Sequence, residues 1–387
     1  MNGILNIYKE RGYTSHDVIA RLRGITHQRK MGHTGTLDPD AEGVLPVCLG
    51  TATRVCDIIT DNSKCYEVIM LLGIGTDSQD ITGNIINRAS TLEDLTDDDI
   101  KDAIMSFTGE YDQLPPMYSA VRMGGLRLYE IARSGGDIER EPRHVSIDNI
   151  DIVSEIVRGK LSDNMPYECL SDISKIRLMK DRTSDSDRRF ARYASENTGC
   201  NTSGNVGSNT SGNTSSDTSG STGNDTSENA AKECADDGNI PVVRIAFSVR
   251  CSKGTYIRSL CSDIGDKLGV FGCVERLMRT RVNVFDIDSA ITLREAEELM
   301  NGDRLEEKIS GAEILFEGYK RLDVKAKYDD LLANGNQLHF RHFKQYITEP
   351  PSPVRVYSSN GEFLGIYEYV EGRFKYTPVK VFIEKDQ

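Results

Sequence analysis

From Asn197 to Ser227 the chain reads NTGCNTSGNVGSNTSGNTSSDTSGSTGNDTS, a run with no Lys, Arg or aromatic residue in which only Cys200 and Val206 are appreciably apolar. A loose Asn-Thr-Ser-Gly unit recurs through it. Such a stretch cannot bury enough surface to offset the entropy of ordering it, so it is expected to be disordered. Any fold for this chain must therefore tolerate a long excursion, which we bound at about residues 155 to 240. The segment before the run carries Lys175, Arg177, Lys180, Arg182, Arg188, Arg189 and Arg192. It is read as a solvated mixed-charge flank in preference to an RNA-binding arm.

The remaining chain has the composition of a globular protein. Its 387 residues suffice for one large domain and a smaller one, with 38% hydrophobic content for their cores. No window approaches about 18 consecutive apolar residues, and MNGILNIYKERG lacks the pattern of a cleaved leader. No membrane association and a cytoplasmic location are expected. Nine cysteines (48, 56, 65, 169, 200, 234, 251, 261 and 273) include no C-x-x-C pair and never gather with His at zinc-ligand spacing. Reduced, mostly buried thiols are expected, with no metal site. The net charge of −13 argues superficially against a nucleic-acid partner. A local basic strip can nevertheless sit on an acidic body.

Hydrophobic periodicity marks the regular elements. TSHDVIARLRGI opens with a Ser/Thr cap and sets Val18, Ile19, Leu22 and Ile25 on one helical face. YEVIMLLGIGTDSQD begins as a strand and ends in turn residues. PVVRIAFSVRCSKG alternates Val243, Ile245, Phe247 and Val249 with Arg244, Ala246, Ser248 and Arg250, predicting one buried and one partly cationic face. It leads through a turn into TYIRSLCSDIGDKLG, where Ile257, Leu260, Ile264 and Leu268 mark a helix and Arg258 falls in its first turn. QLPPMYSAVRMGGLRLYEIARSGG reads as an extended segment, a Gly-Gly turn and a short helix, with Arg122, Arg127 and Arg133 near Tyr118 and Tyr129. Beyond Ser310, an Asn-Gly turn in VRVYSSNGEFLGIYEYV and the run KYTPVKVFI indicate a small β-rich module.

The stretch RKMGHTGTLDPDAEGVLP, Arg29 to Pro46, concentrates chemistry. Gly32, Gly35, Pro39, Gly43 and Pro46 restrict the backbone around Asp38, and a nucleophilic carboxylate needs such rigid presentation. A turn aspartate accepting backbone N–H bonds is the plainer reading of the same spacing. The D-x-D of Asp38 and Asp40 beside TGTLD also admits a Mg²⁺-dependent aspartyl phosphotransferase. In that class the Asp ends a buried, apolar parallel strand, whereas here the approach is THQRKMGH.

GHTGTLDPDAEGVLPVCLGTATR resembles the signature of the TruB family of tRNA pseudouridine synthases. YKERGYTSHDV, KCYEV, GTDSQDITG, PPMYSAVRMGGLRLYEIARSG, VRCSKGTYIRSLCSDIG and ERLMRTRVNVF resemble its other blocks, in order, between residues 8 and 285. The resemblance implies an α+β fold: a pseudouridine-synthase core with a mixed, largely antiparallel sheet and flanking helices, over residues 1–309. A small β-rich, PUA-like C-terminal module would occupy 310–387, and 117–145 would form a thumb-like insertion that grips RNA. The implied activity is isomerisation of uridine to pseudouridine in the T-loop of tRNA, position 55, by base flipping and without a cofactor. Asp38 would be the nucleophile, Tyr66 would stack on the flipped base, and Arg258 would hold Asp38 ionised and oriented. Tyr256 and Leu277 would line the uracil pocket, His33 would enter the RNA loop, and Lys9 and Lys253 would serve substrate binding. Asp40 and Glu42 are expected to face solvent. The partner would be the tRNA T-arm and the protein a monomer. One departure is Glu10, which follows Lys9 where the family has proline. A catalytically silent RNA-binding protein on the same fold remains the alternative from another class.

Overall fold

The computed structural model describes residues 1–163 and 239–383, apart from residues 61, 120, 124, 125, 134, 135 and 137. The low-complexity run and its basic flank lie outside the described residues, as do the side chains of Arg122, Arg127 and Arg133. Strand β1 (Gly3–Lys9) leads into the Ser15–Thr26 helix, followed by β2 (Met31–His33), β3 (Glu42–Leu49) and β4 (Lys64–Leu72). Next come the hairpin of β5 (Ile74–Thr76) and β6 (Ile85–Arg88), the Asp97–Met105 helix and β7 (Gly109–Gln113). A minimal hairpin, β8 (Arg122–Met123) and β9 (Leu126–Arg127), runs into the Leu128–Arg133 helix. Then follow β10 (Arg143–Ile152), β11 (Val157–Lys160), β12 (Pro241–Cys251), the Ile257–Leu268 helix, β13 (Gly272–Val282), β14 (Phe285–Asp286) and β15 (Ile309–Ser310).

Among the described residues one 11-stranded sheet forms the centre, in the order β15-β1-β3-β13-β4-β12-β10-β7, with β2, β11 and β14 on its flanks. All its pairings are antiparallel except β13 with β3, which meet in parallel at Met278–Glu42 and Arg279–Gly43. Two apolar clusters cover this sheet beside the parallel seam. In one, Ile257, Leu260 and Ile264 of the helix pack on Tyr66, Val68, Val249 and Leu277. In the other, Val18, Ile19 and Leu22 pack on Leu5, Ile7, Leu45 and Val47. The helical faces read from the sequence are the buried ones. A capping box between Thr14 and Asp17 starts the first helix, and Gly269, at φ +72°, ends the Ile257–Leu268 helix.

The cationic face expected on β12 is corrected at Arg244, which is 1% exposed. Strand β12 is interior to the sheet, and Arg244 Nε meets both Glu275 carboxylate oxygens at 3.0 Å. Its Nη1 and Nη2 donate to the carbonyls of Lys160 and Leu161, at 2.9 and 3.1 Å. Period-2 patterning counts arginine as outward-facing and cannot register a partly buried carboxylate on β13, across the sheet.

The parallel seam requires a glycine. Gly43 sits at φ +105°, and a Cβ there would lie 2.2 Å from the Arg279 carbonyl oxygen. Gly43→Ala combines left-handed strain with a backbone clash, and should destabilise the fold by roughly 2–4 kcal/mol. Urea unfolding followed by circular dichroism measures this, and a change below about 1 kcal/mol would contradict it.

The C-terminal sheet is separate. It consists of β16 (Lys320–Asp323), β17 (Leu338–His339), β18 (Val354–Tyr357), β19 (Phe363–Val370) and β20 (Lys375–Val381), in the order β16-β18-β19-β20-β17. Its core holds Leu322, Val354, Val356, Tyr367 and Tyr376, and Gly361, at φ +87°, follows Asn360 in the turn between β18 and β19. It docks on the large sheet through Phe363 and Phe382 against Phe316, through Lys380–Asp57 at 2.5 Å, and through Arg54 donating to the Val381 carbonyl.

Candidate active site

Asp38 lies in the loop between β2 and β3, and nearly every residue of that loop is tethered. The Thr34 amide donates to the Pro46 carbonyl at 3.1 Å, and the Leu37 amide to Ser15 Oγ at 3.0 Å. The Gly12 amide donates to the Pro39 carbonyl at 2.9 Å, and the Ala41 amide to the Asp38 carbonyl at 3.2 Å. Gly35, at φ +86°, makes the turn that brings these contacts into register. The apolar anchor is Leu37, 4% exposed and packed into the same cluster as Tyr66 and Leu277. Asp38 itself remains 41% exposed. A rigid loop thus presents an accessible carboxylate.

Arg258 meets it. Its Nε lies 2.9 Å from Asp38 Oδ2, while its own side chain is 6% exposed. Nη1 donates to the Ser78 carbonyl at 3.0 Å and Nη2 to the Tyr118 carbonyl at 2.8 Å. A second carboxylate, Asp80 Oδ2, stands 3.6 Å from Nη1. Asp80 is itself fixed, its Oδ1 accepting from Ser78 Oγ at 2.8 Å and from Thr82 Oγ1 at 2.6 Å. The guanidinium therefore joins four chain segments, and only one of its contacts leads to an accessible atom.

Tyr66, on β4, is 8% exposed, and burial pushes its phenol up to about 12 against the opposing pull of Arg279. Tyr256 caps the Ile257–Leu268 helix and exchanges backbone bonds with the Gln113 amide at 2.7 and 3.0 Å. Burial raises its phenol, which also feels Asp38 and Arg258. Leu277 closes the apolar side, 8% exposed. His33, on β2, stacks edge-on against His16 at 6.0 Å, and burial lowers its pKa, followed by the neighbouring His16. Lys253 sits on the exposed turn preceding Tyr256.

Lys9 lies beneath the loop, fully buried, its ammonium on the carbonyls of Tyr13, Pro39 and Glu10 at 2.6, 3.0 and 3.2 Å. Burial lowers its pKa to about 8, opposed by Glu42, Asp38 and Asp40. Above that pH the ammonium loses one of its three N–H donors and its charge beneath the loop, which it meets at the Pro39 carbonyl, so the single-turnover rate should fall with an apparent pKa near 8. The unfolded chain keeps this proton up to its ordinary 10.5. Between those values the unfolded state binds more protons, so Lys9 makes the fold more stable as pH rises. A rate that falls while Lys9's contribution to the thermal midpoint rises is the expected pattern, and a flat rate to pH 9 would contradict it.

The expected solvent exposure of Asp40 and Glu42 is corrected. Glu42 is 1% exposed, accepting from Tyr8 Oη at 2.8 Å and from Arg276 Nε at 2.5 Å. Asp40 is partly buried beside Arg11 at 3.8 Å, and burial raises its carboxyl. Glu42 begins β3 beside the parallel seam, so its side chain turns into the protein. Glu42→Ala would take this buried carboxylate away from a guanidinium and a phenol, and should cost about 3 kcal/mol by urea unfolding.

Comparison with known proteins assigns the chain. Residues 23–163 match the model of the TruB family pseudouridylate synthase N-terminal domain, and residues 258–317 that of the tRNA pseudouridylate synthase B C-terminal domain. The tRNA pseudouridine synthase B of Lachnoclostridium phytofermentans is 38% identical over 386 residues, covering 99% of this chain and 100% of the relative. This chain belongs to the TruB family. It is therefore an enzyme, an isomerase of the pseudouridine synthase class. Proteins of the same name from Clostridium perfringens and Staphylococcus epidermidis are 33% and 32% identical, covering 97% and 98% of this chain and 97% and 99% of their own. A chain in the crystal structure of a Cbf5-Nop10-Gar1 complex aligns with a TM-score of 0.56 at 21% identity, covering 98% of this chain and 85% of that one. The TruB-type α+β fold accounts for the mixed sheet seen here. Sequence reasoning passed over Asp80 and Arg279, although both stand inside blocks that carry the family resemblance, GTDSQDITG and ERLMRTRVNVF.

Proposed function

We propose that the enzyme isomerises the T-loop uridine at position 55 of tRNA, with Asp38 as nucleophile and the target base extruded from the RNA. The observation that carries this reading is the Arg258–Asp38 pair at 2.9 Å, in which a buried guanidinium orients an accessible carboxylate. The pair fixes the orientation of the carboxylate, as a nucleophile needs. During the reaction the C1′–N1 bond breaks, the uracil turns, C5 bonds to C1′, and the C5 proton is released. Tyr66 stacks on the flipped base, and Tyr256 and Leu277 line the uracil pocket. Extrusion costs a few kcal/mol, offset by such stacking and by phosphate contacts. His33 fills space in the RNA loop, and Lys253 meets phosphate. Lys9 serves the substrate indirectly, by holding the Pro39 carbonyl beneath the catalytic loop.

In the same reading residues 1–309 form the catalytic domain, with 117–145 as the thumb, and 310–387 a PUA-like module that contacts RNA. The protein acts as a cytoplasmic monomer on the T-arm. Against the phosphotransferase alternative, the loop of Asp38 joins two antiparallel strands, β2 and β3, instead of ending a parallel one. Among the described residues no helix is long and apolar enough to cross a membrane. The test is a transcribed tRNA carrying tritium at uridine C5. Release of tritium from position 55, and none when that uridine is replaced by cytidine, is expected. Undiminished release from the cytidine variant would overturn the site assignment.

A further inference from the structure

Arg279 has no part in the assignments above, yet it is 1% exposed between the Asp38 loop and Tyr66. Its Nε donates to the Val44 carbonyl at 2.8 Å, and its Nη2 and Nη1 reach the carbonyls of Gly35 and Thr36, at 3.3 and 3.5 Å, just ahead of Asp38. On its other side the register of β13 with β4 sets it directly opposite Tyr66. There the charge of the guanidinium opposes the rise that burial imposes on the phenol. A register irregularity between Arg279 and Arg281 follows immediately, and bulges beside active sites re-aim side chains. Burying a guanidinium is costly, and an apolar residue of similar volume generally serves a core as well or better. A guanidinium buried at this place calls for a role that charge and fork geometry fill.

We propose that Arg279 is a positioning residue for the isomerisation, tying the Asp38 loop and the Tyr66 phenol to one rigid group so that carboxylate and ring meet the target nucleotide at a set spacing. The inference rests on the assignment of Asp38 and Tyr66 as the groups that face that nucleotide. A purely structural strap would hold the loop carbonyls but would be indifferent to the phenol oxygen. A positioning residue couples to it. Misplacement by about 1 Å is enough to cost about 100-fold in rate.

The test is a double-substitution cycle on the single-turnover rate with tritiated tRNA, using Arg279→Met, Arg279→Lys, Tyr66→Phe and the combined variants. Arg279→Met should slow turnover by about 100-fold with tRNA affinity changed by less than about twofold, and Arg279→Lys should restore part of the rate. In the Tyr66→Phe background the same substitution should cost at least about fivefold less, because the phenol that Arg279 is proposed to place is already gone. Strictly additive effects, or a folded Arg279→Met enzyme within about twofold of wild type, would overturn the proposal. Should Arg279→Met not fold, Arg279→Lys carries the cycle. Should neither fold, the Arg279 side-chain Nε–H signal is followed by ¹⁵N NMR in Tyr66→Phe, where an unchanged signal is the overturning result. An Asp38→Asn arm separates the two levels. If it retains the wild-type rate the site assignment itself fails, and if it is inactive while the cycle is additive only the role of Arg279 fails.

Discussion

Asp38→Asn should lower the single-turnover rate of tritium release by about 10⁴-fold or more, the scale seen when a nucleophile acting with other groups is removed. The substitution keeps shape and volume, and Asp38 is 41% exposed, so little buried surface is at stake. The thermal midpoint should move by no more than a few degrees. The amide oxygen can still accept from Arg258, but it cannot form the bond to carbon that a carboxylate forms. Complex formation with tRNA should survive. A variant that releases tritium at more than about a hundredth of the wild-type rate would rule out nucleophilic catalysis by this residue.

Arg258 should show the other pattern, in which rate and stability fall together. Its guanidinium spans Asp38, Asp80 and the carbonyls of Ser78 and Tyr118. Arg258→Met leaves Asp80, 15% exposed, and two carbonyls without this donor. Breaking a buried pair costs about 3–5 kcal/mol, and the accessible Asp38 end is screened by water, so about 3 kcal/mol is expected. Arg258→Lys keeps the charge but offers a single point in place of a planar fork, and cannot satisfy both carbonyls and both carboxylates. It should fold, lose about 100-fold in rate, and leave tRNA affinity nearly unchanged. Stability is read by urea unfolding and rate by tritium release. An Arg258→Lys enzyme with wild-type turnover would show that the charge alone suffices.

Local chemistry made much of this molecule legible. The Ser15–Thr26 helix carried its cap, and both it and the Ile257–Leu268 helix their apolar faces, in plain spacing, because each depends on neighbours within one turn. Asp38 stood out because five glycines and prolines around one carboxylate are a local statement about backbone restraint. Apart from Arg258, which the family resemblance paired with Asp38, what escaped was the buried charges whose partners lie far along the chain. Arg244 looked like a surface cation and is enclosed with Glu275. Glu42 looked like a bystander and is enclosed with Arg276 and Tyr8.

The sequence by itself determined the secondary elements, the rigid turn that carries Asp38 and, through ordered blocks, the family. The tertiary structure decided which charges are buried, that Asp80 shares the arginine that holds Asp38, and that Arg279 lies between the Asp38 loop and the strand of Tyr66. The physical reason is one of range. Helix faces and turns are set by contacts a few residues apart, whereas the solvation of a charge depends on groups that only folding across the sheet brings within hydrogen-bond distance.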